Sequence, residues 1–181
     1  ADINTINADS ATGIVTATVT SAAASVLKGL QTDSNDAITM TVNAEASSAA
    51  TQASDLVSLN GKTNQVITMT AVTKVSGSYA DLLNVYVTNA GQYNGEGDEA
   101  VTITGTVTAT QADAIADVTS GVVTATINAD TAAALNSALS DAQVNAYTLT
   151  INGSSATASE ITSLDNKTSG SITLSGTSMT I

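Results

Sequence analysis

Carboxylates are the side chains with which this chain could do chemistry. Sixteen acidic residues stand against four lysines, Lys28, Lys62, Lys74 and Lys167, with no Cys and no His, for a formal net charge of -12. Without His or Cys, the usual zinc, haem, iron–sulfur and copper sites lose their main ligands, and no Ser-His or Cys-His nucleophile pair can be assembled. Two carboxylate arrangements remain. In NGEGDE, Glu96, Asp98 and Glu99 offer the hard oxygens that calcium takes, although their spacing matches neither an EF-hand loop nor the glycine-rich nonapeptide repeat. Asp113 and Asp117 lie four apart on a predicted helix, a pairing that could serve acid–base cleavage of a glycosidic bond. Solvated alanine-rich helix faces carry such pairs without that task, and with no Phe, no Trp and four tyrosines there is no aromatic platform for a sugar. The expectation is no catalytic residue, no resident cofactor, and calcium at Glu96, Asp98 and Glu99 as the metal to test.

Charge and hydropathy narrow the partners. Four lysines and no arginine cannot form the basic patch that displaces counterions from a phosphate backbone, so nucleic acid is excluded as a partner. An anionic membrane surface is disfavoured for the same reason. No run of eighteen apolar residues occurs, so no segment reads as a membrane-spanning helix. Ala1 in place of Met fits a removed leader, and the absence of Cys agrees with secretion without disulfides.

The elements that would position these groups repeat. A strand pattern centred on threonine recurs seven times: IVTATVT at 14–20, AITMTVN at 37–43, VITMTAV at 66–72, AVTITGT at 100–106, VVTATIN at 122–128, AYTLTIN at 146–152 and SITLSGT at 171–177. The aligned threonines are Thr16, Thr39, Thr68, Thr102, Thr124, Thr148 and Thr173, at intervals of 23, 29, 34, 22, 24 and 25 residues. A longer period overlies this one. Thr16 to Thr124 is 108 residues, Thr39 to Thr148 is 109 and Thr68 to Thr173 is 105, and SLNGKT at 58–63 returns as SLDNKT at 163–168. The whole chain, 1–181, therefore reads as one repeat domain, with a first higher unit at about 11–118 and an incomplete second at 119–181.

Period-two alternation puts the apolar residues of each strand on one face and threonines on the other. The exposed face is expected to carry Thr16, Thr18, Thr39, Thr41, Thr68, Thr70, Thr102, Thr104, Thr124, Thr126, Thr148, Thr150 and Thr173. Between strands lie short amphipathic alanine-rich stretches, the first opening at Ser21, another after Ser47 and Ser48, and later ones near Ser78, Thr110, Asp130 and Ser154, residue types that cap helix starts. Ser78 with Asp81 and Thr110 with Asp113 add an acid three residues on. Strand, helix, strand with short loops forces parallel strands and a right-handed crossover. The predicted fold is α/β: a right-handed αβ-solenoid of about seven coils, with one parallel sheet, short helices on one face and threonine on the other. The 34-residue interval contains VYVTNAGQYNGEGDE, 85–99, too long for a tight connection and the best candidate for a functional loop.

Over Ser76 to Ala129, the helix with YADLLNVY, the GDEAVT entry to a strand and the TSGVVTATI turn into the next resemble the tandem repeats of giant surface and extracellular proteins of cyanobacteria, with relatives among cyanophage structural proteins. The matching units before and after extend the resemblance over most of the chain, which is short beside the family's often very large members. The resemblance implies an extracellular, cell-surface or virion location and a non-catalytic structural or adhesive role. The terminal stretches, Asp2, Ile3, Asn4, Thr5, Ile6 and Asn7 at one end and Ser178, Met179, Thr180 and Ile181 at the other, continue the strand pattern with a single charge and no proline. Sheet edges of that kind are normally blocked, so the expected partner is a second copy joined through these strands into a homopolymer. An adhesion or coat module that binds a glycan or cell-surface ligand is the alternative, with calcium and ice binding ranked after it.

Overall fold

The computed structural model describes residues 13–140, 142–176 and 178–180. It is mixed α/β, and every registered strand pairing among the described residues is parallel. The chain divides into two compact units, Ala1–Glu99 and Ala100–Ile181. The division falls at the entry to a long strand.

The first unit contains β1 (Thr16–Thr18), β2 (Ala22–Ala23), α1 (Ala24–Leu27), β3 (Ala37–Thr39), β4 (Val42–Asn43), β5 (Thr51–Gln52), α2 (Ala53–Asn60), β6 (Ile67–Thr68), β7 (Lys74–Gly77), α3 (Tyr79–Leu83) and β8 (Tyr93–Asn94). Its strands are shorter than the seven residues expected. They pair as β1 with β3, β2 with β4, β5 with β7 and β6 with β8, so the expected single sheet is replaced by several. The reason is a corner within each predicted strand. After Met69, for example, the Val72 amide returns to the Met69 carbonyl at 2.8 Å, and the chain restarts as β7.

The second unit keeps longer strands: β9 (Ala100–Val107), α4 (Ala109–Ala116), β10 (Val123–Ile127), α5 (Ala132–Ala138), β11 (Ala146–Ile151), β12 (Ser155–Thr157), α6 (Ala158–Asp165), β13 (Ile172–Leu174) and β14 (Ser178–Thr180). Four of them run in the order β9-β10-β11-β13, and β12 pairs with β14. Registers are staggered by two residues relative to the threonine alignment: Thr126 lies opposite Thr148 and Thr150 opposite Thr173. A two-residue slip preserves which face each side chain occupies, whereas a slip of one would reverse it. Between β9 and β10, Thr102 faces Thr124 but Thr106 faces Thr126, a bulge of two extra residues that Gly105 absorbs at φ +81°.

Alternating side chains fill both cores. Ile38, Met40, Val42, Ile67 and Met69 are buried in the first unit, and Val101, Ile103, Val123, Ile127, Tyr147, Leu149 and Ile151 in the second. Helix starts follow capping chemistry, but not at all the expected residues. Ser78 caps α3, accepting from the Asp81 amide at 3.2 Å, as expected. The caps of α4, α5 and α6 are Thr108, Thr131 and Thr157 in place of Thr110, Asp130 and Ser154. Thr108 with Gln111 and Thr157 with Glu160 close reciprocal boxes: in each, the threonine hydroxyl accepts the third amide, and the Gln or Glu side chain accepts the threonine's own amide at 3.0 Å and 2.8 Å. In the first box the partner is a neutral glutamine and not an acid. Ser21 precedes β2 and does not open α1, and Ser47 and Ser48 form a turn at φ 57° ahead of β5.

Candidate functional site

The long loop is not a free excursion. An i→i+5 hydrogen bond, Asn89 amide to Asn84 carbonyl at 2.9 Å, widens the end of α3 at 84–88, and the chain then enters β8, where Ile67 faces Tyr93 and Thr68 faces Asn94. The neighbour of Thr68 is thus Asn94 and not Thr102, which the threonine alignment predicted. Three residues explain the fit. Tyr93 is buried, and its hydroxyl donates to the Leu56 carbonyl at 3.1 Å; burial pushes its phenol up to about 12. The Asn94 carbonyl accepts the Met69 amide at 2.8 Å. Gly95, at φ +86°, passes so close to Thr70 that a Cβ would lie 2.3 Å from Thr70 Cγ2 and 2.9 Å from its backbone.

Beyond Gly95, Glu99 turns inward while Glu96 and Asp98 stay toward the surface. Glu99 is fully buried; one of its carboxylate oxygens accepts the Tyr86 hydroxyl at 3.2 Å and the Gly97 amide at 2.8 Å. Burial, which disfavours the charged form, raises the Glu99 carboxyl above its ordinary range, and burial followed by the Glu99 charge raises the Tyr86 phenol well above its own. Glu96 and Asp98 line an open depression of about 290 Å³ with Thr70, Gly95 and Gly97. Among the described residues no three His, Cys, Asp or Glu side chains converge on a common point. Glu99 ties the end of the loop to Tyr86 and Gly97. Asp113 Oδ1 accepts the Ser140 amide at 2.7 Å, and Asp117 is the exposed C-cap of α4.

The threonine residues occupy the outer faces of the strands. Thr16, Thr18, Thr39 and Thr70 are exposed and Thr41 and Thr68 half-buried in the first unit; Thr102, Thr104, Thr124, Thr126, Thr148 and Thr173 are exposed and Thr150 half-buried in the second. None of the outward residues of β9, β10, β11 and β13 is charged. Of the terminal residues, Asp2, Ile3, Asn4, Thr5, Ile6, Asn7 and Ile181 lie outside the described residues. Ser178, Met179 and Thr180 form β14. Met179 is 56% exposed there and Leu174 on β13 is 38% exposed, and among the described residues no strand covers the far side of β13.

One set of residues escaped the sequence reading. The Val15 amide donates to Asp36 Oδ1 at 2.8 Å, Ile38 to Thr63 Oγ1 at 2.9 Å, Val123 to Asn145 Oδ1 at 2.8 Å and Tyr147 to Thr168 Oγ1 at 2.8 Å. In each case an amide at or just before the start of a strand is capped by a side-chain oxygen from the turn ahead of a later strand. Thr63 and Thr168 also donate back to the carbonyls of Ile38 and Tyr147, each at 2.8 Å. Lys167, buried, places Nζ against the Asn136 carbonyl at 2.9 Å and against the Leu139 carbonyl, capping the C-terminal end of α5. The signal for this set was the SLNGKT and SLDNKT pair, whose final threonines are these two hydroxyls.

Comparison with family models, with curated proteins and with solved structures finds no match to this chain.

Proposed function

We propose that the chain is a non-catalytic structural repeat protein of the extracellular space, a cell surface or a virion, built as a right-handed αβ-solenoid that grows by adding coils end to end into a filament or sheath. The observation that carries this reading is the β13–β14 edge, where the parallel order stops with Leu174 and Met179 exposed. Parallel strands present donors and acceptors on both sides, and an open edge with apolar side chains and no charge is a template for another strand. Head-to-tail contact between unlike surfaces gives an open filament when the rotation does not close. Side-chain caps between successive coils, at Asp36, Thr63, Asn145 and Thr168, support the reading because they make each coil specific for its neighbour.

In the simplest assembly the added coil comes from a second copy entering by Asp2 to Asn7. Electron microscopy and sedimentation of the purified chain test this: fibres are expected, and Leu174→Lys with Met179→Lys should leave a monomer. A native chain that stays monomeric at high concentration and neutral pH defeats it. A second reading, a coat or adhesion module, rests on the uncharged threonine face, which in a chain of net charge -12 is the surface least repelled by another acidic or neutral body. Retention of the protein on cells or glycans, lost when Thr124 and Thr148 become lysine, would favour it.

A further inference from the structure

The strands of the β13–β14 edge carry no charge, but the helix that joins them to the chain, α6, does. Residues 54–63, SDLVSLNGKT, and 159–168, SEITSLDNKT, stand 105 apart. The equivalence is structural as well: α2 and α6 are both eight residues long, and Thr63 and Thr168 make the same exchange of hydrogen bonds with the preceding strand. On this offset Asn60, the last residue of α2, corresponds to Asp165, the last residue of α6. A neutral amide in the first copy of the motif is thus a carboxylate in the second.

The two helix ends have different surroundings. α2 packs against both α1 and α3, and Asn60 is half-buried. α6 packs against α5, and among the described residues no helix follows it. Asp165 is exposed there, and no ion pair or side-chain hydrogen bond engages its carboxylate among the described residues. It also stands at the end of its helix where the carbonyls repel an anion. The other charges of this segment are occupied: Glu160 is held by the Thr157 amide and hydroxyl at 2.8 and 2.9 Å, and Lys167 lies on the carbonyls of Asn136 and Leu139. A copy that adds a coil here brings a net charge of -12 toward a free carboxylate. That repulsion extends over about 30 Å at 0.01 M salt and about 8 Å at 0.15 M. Leu174 and Met179 attract only at contact, so in dilute salt the copy is turned away before their burial begins.

We propose that Asp165 gates end-to-end growth: its charge holds a second copy off the β13–β14 edge at low ionic strength and is silenced by salt. The inference rests on the reading that copies join through this edge, and it adds the condition under which they do. Charge beside an open sheet edge restrains its extension, and a restraint that salt removes is a switch. Because screened repulsion decays with distance, the carboxylate nearest the added coil counts most.

The test is the critical concentration for fibre formation, read by sedimentation of the full chain at about 0.01 M and about 0.15 M sodium chloride. The native chain should require a higher concentration in the dilute salt. Asp165→Asn should lower that dilute-salt value by about fivefold, the upper range for one exposed charge pair, and change the value at the higher salt little. Asp165→Glu, which keeps the charge, should behave as the native chain. Asp117→Asn makes the same change of net charge at the exposed end of α4 and should leave the dilute-salt value near the native one. No gain from Asp165→Asn, or an equal gain from Asp117→Asn, overturns the proposal and leaves growth through the edge standing. Fibres from neither the native chain nor Asp165→Asn at either salt defeat growth itself, and the proposal with it.

Discussion

Replacing Thr63 with valine isolates the chemistry of the side-chain caps between strands, because valine matches threonine in shape and lacks only the hydroxyl. That hydroxyl accepts the Ile38 and Gln65 amides at 2.9 and 3.0 Å and donates to the Ile38 carbonyl at 2.8 Å. Ile38 is fully buried, while Gln65 is exposed and can hydrate its amide. The loss is therefore chiefly that of one buried donor left without an acceptor, with part of a carbonyl, or about 2–4 kcal/mol. Thr63→Ser keeps the hydroxyl and removes one methyl, worth about 0.8 kcal/mol of burial. If apolar burial dominated the site, valine would be the better tolerated of the two. The predicted order is the reverse, and Thr168→Val should match Thr63→Val, while Thr124→Val on the exposed face should stay within about 0.5 kcal/mol of the native chain. Urea denaturation followed by circular dichroism measures all four, with an unchanged slope indicating a change in stability alone. Thr63→Val no more harmful than Thr63→Ser would refute the reasoning.

Other substitutions probe the tyrosines and the loop. The Tyr147 hydroxyl is buried without a hydrogen-bond partner, so Tyr147→Phe should be neutral or stabilise by up to about 1–2 kcal/mol, whereas Tyr93→Phe, which removes the bond to the Leu56 carbonyl, should destabilise; thermal melts of the pair decide this. Gly95→Ala combines a left-handed φ with a clash on Thr70 and should lower stability by more than about 2 kcal/mol, which a melting shift no larger than that of Gly91→Ala would contradict. Burial raises the Glu99 carboxyl, so the folded chain binds that proton more readily than the unfolded one. The contribution of Glu99 is then greatest below the ordinary carboxylate range and declines as pH rises through the folded value. Stability of the native chain relative to Glu99→Gln should accordingly fall with rising pH, and a difference that is flat across the acid range would count against a buried, raised carboxyl.

The repeat, the two-faced strands and the mixed α/β class were legible in the sequence because they depend on local periodicity. Val123, Ala125 and Ile127 alternate with Thr124 and Thr126 whatever the neighbours do, and a two-residue stagger leaves that alternation intact. Cap positions were half legible: Ser78 follows from one side chain, but Thr108 needed Gln111 to be weighed as a partner equal to an acid. What only the tertiary structure decided is which strand lies against which. Thr68 aligns with Thr102 by pattern, yet Asn94 takes the place beside it, since a strand's neighbour is chosen by packing and backbone pairing between distant segments and not by likeness of sequence. The same holds for Glu99, which reads as a surface ligand beside Glu96 and Asp98 and is turned inward to Tyr86, and for Thr63 and Thr168. Threonine in a strand-rich chain carries no mark of burial, and a hydroxyl becomes a cap only when the amide of a distant strand is brought within reach of it.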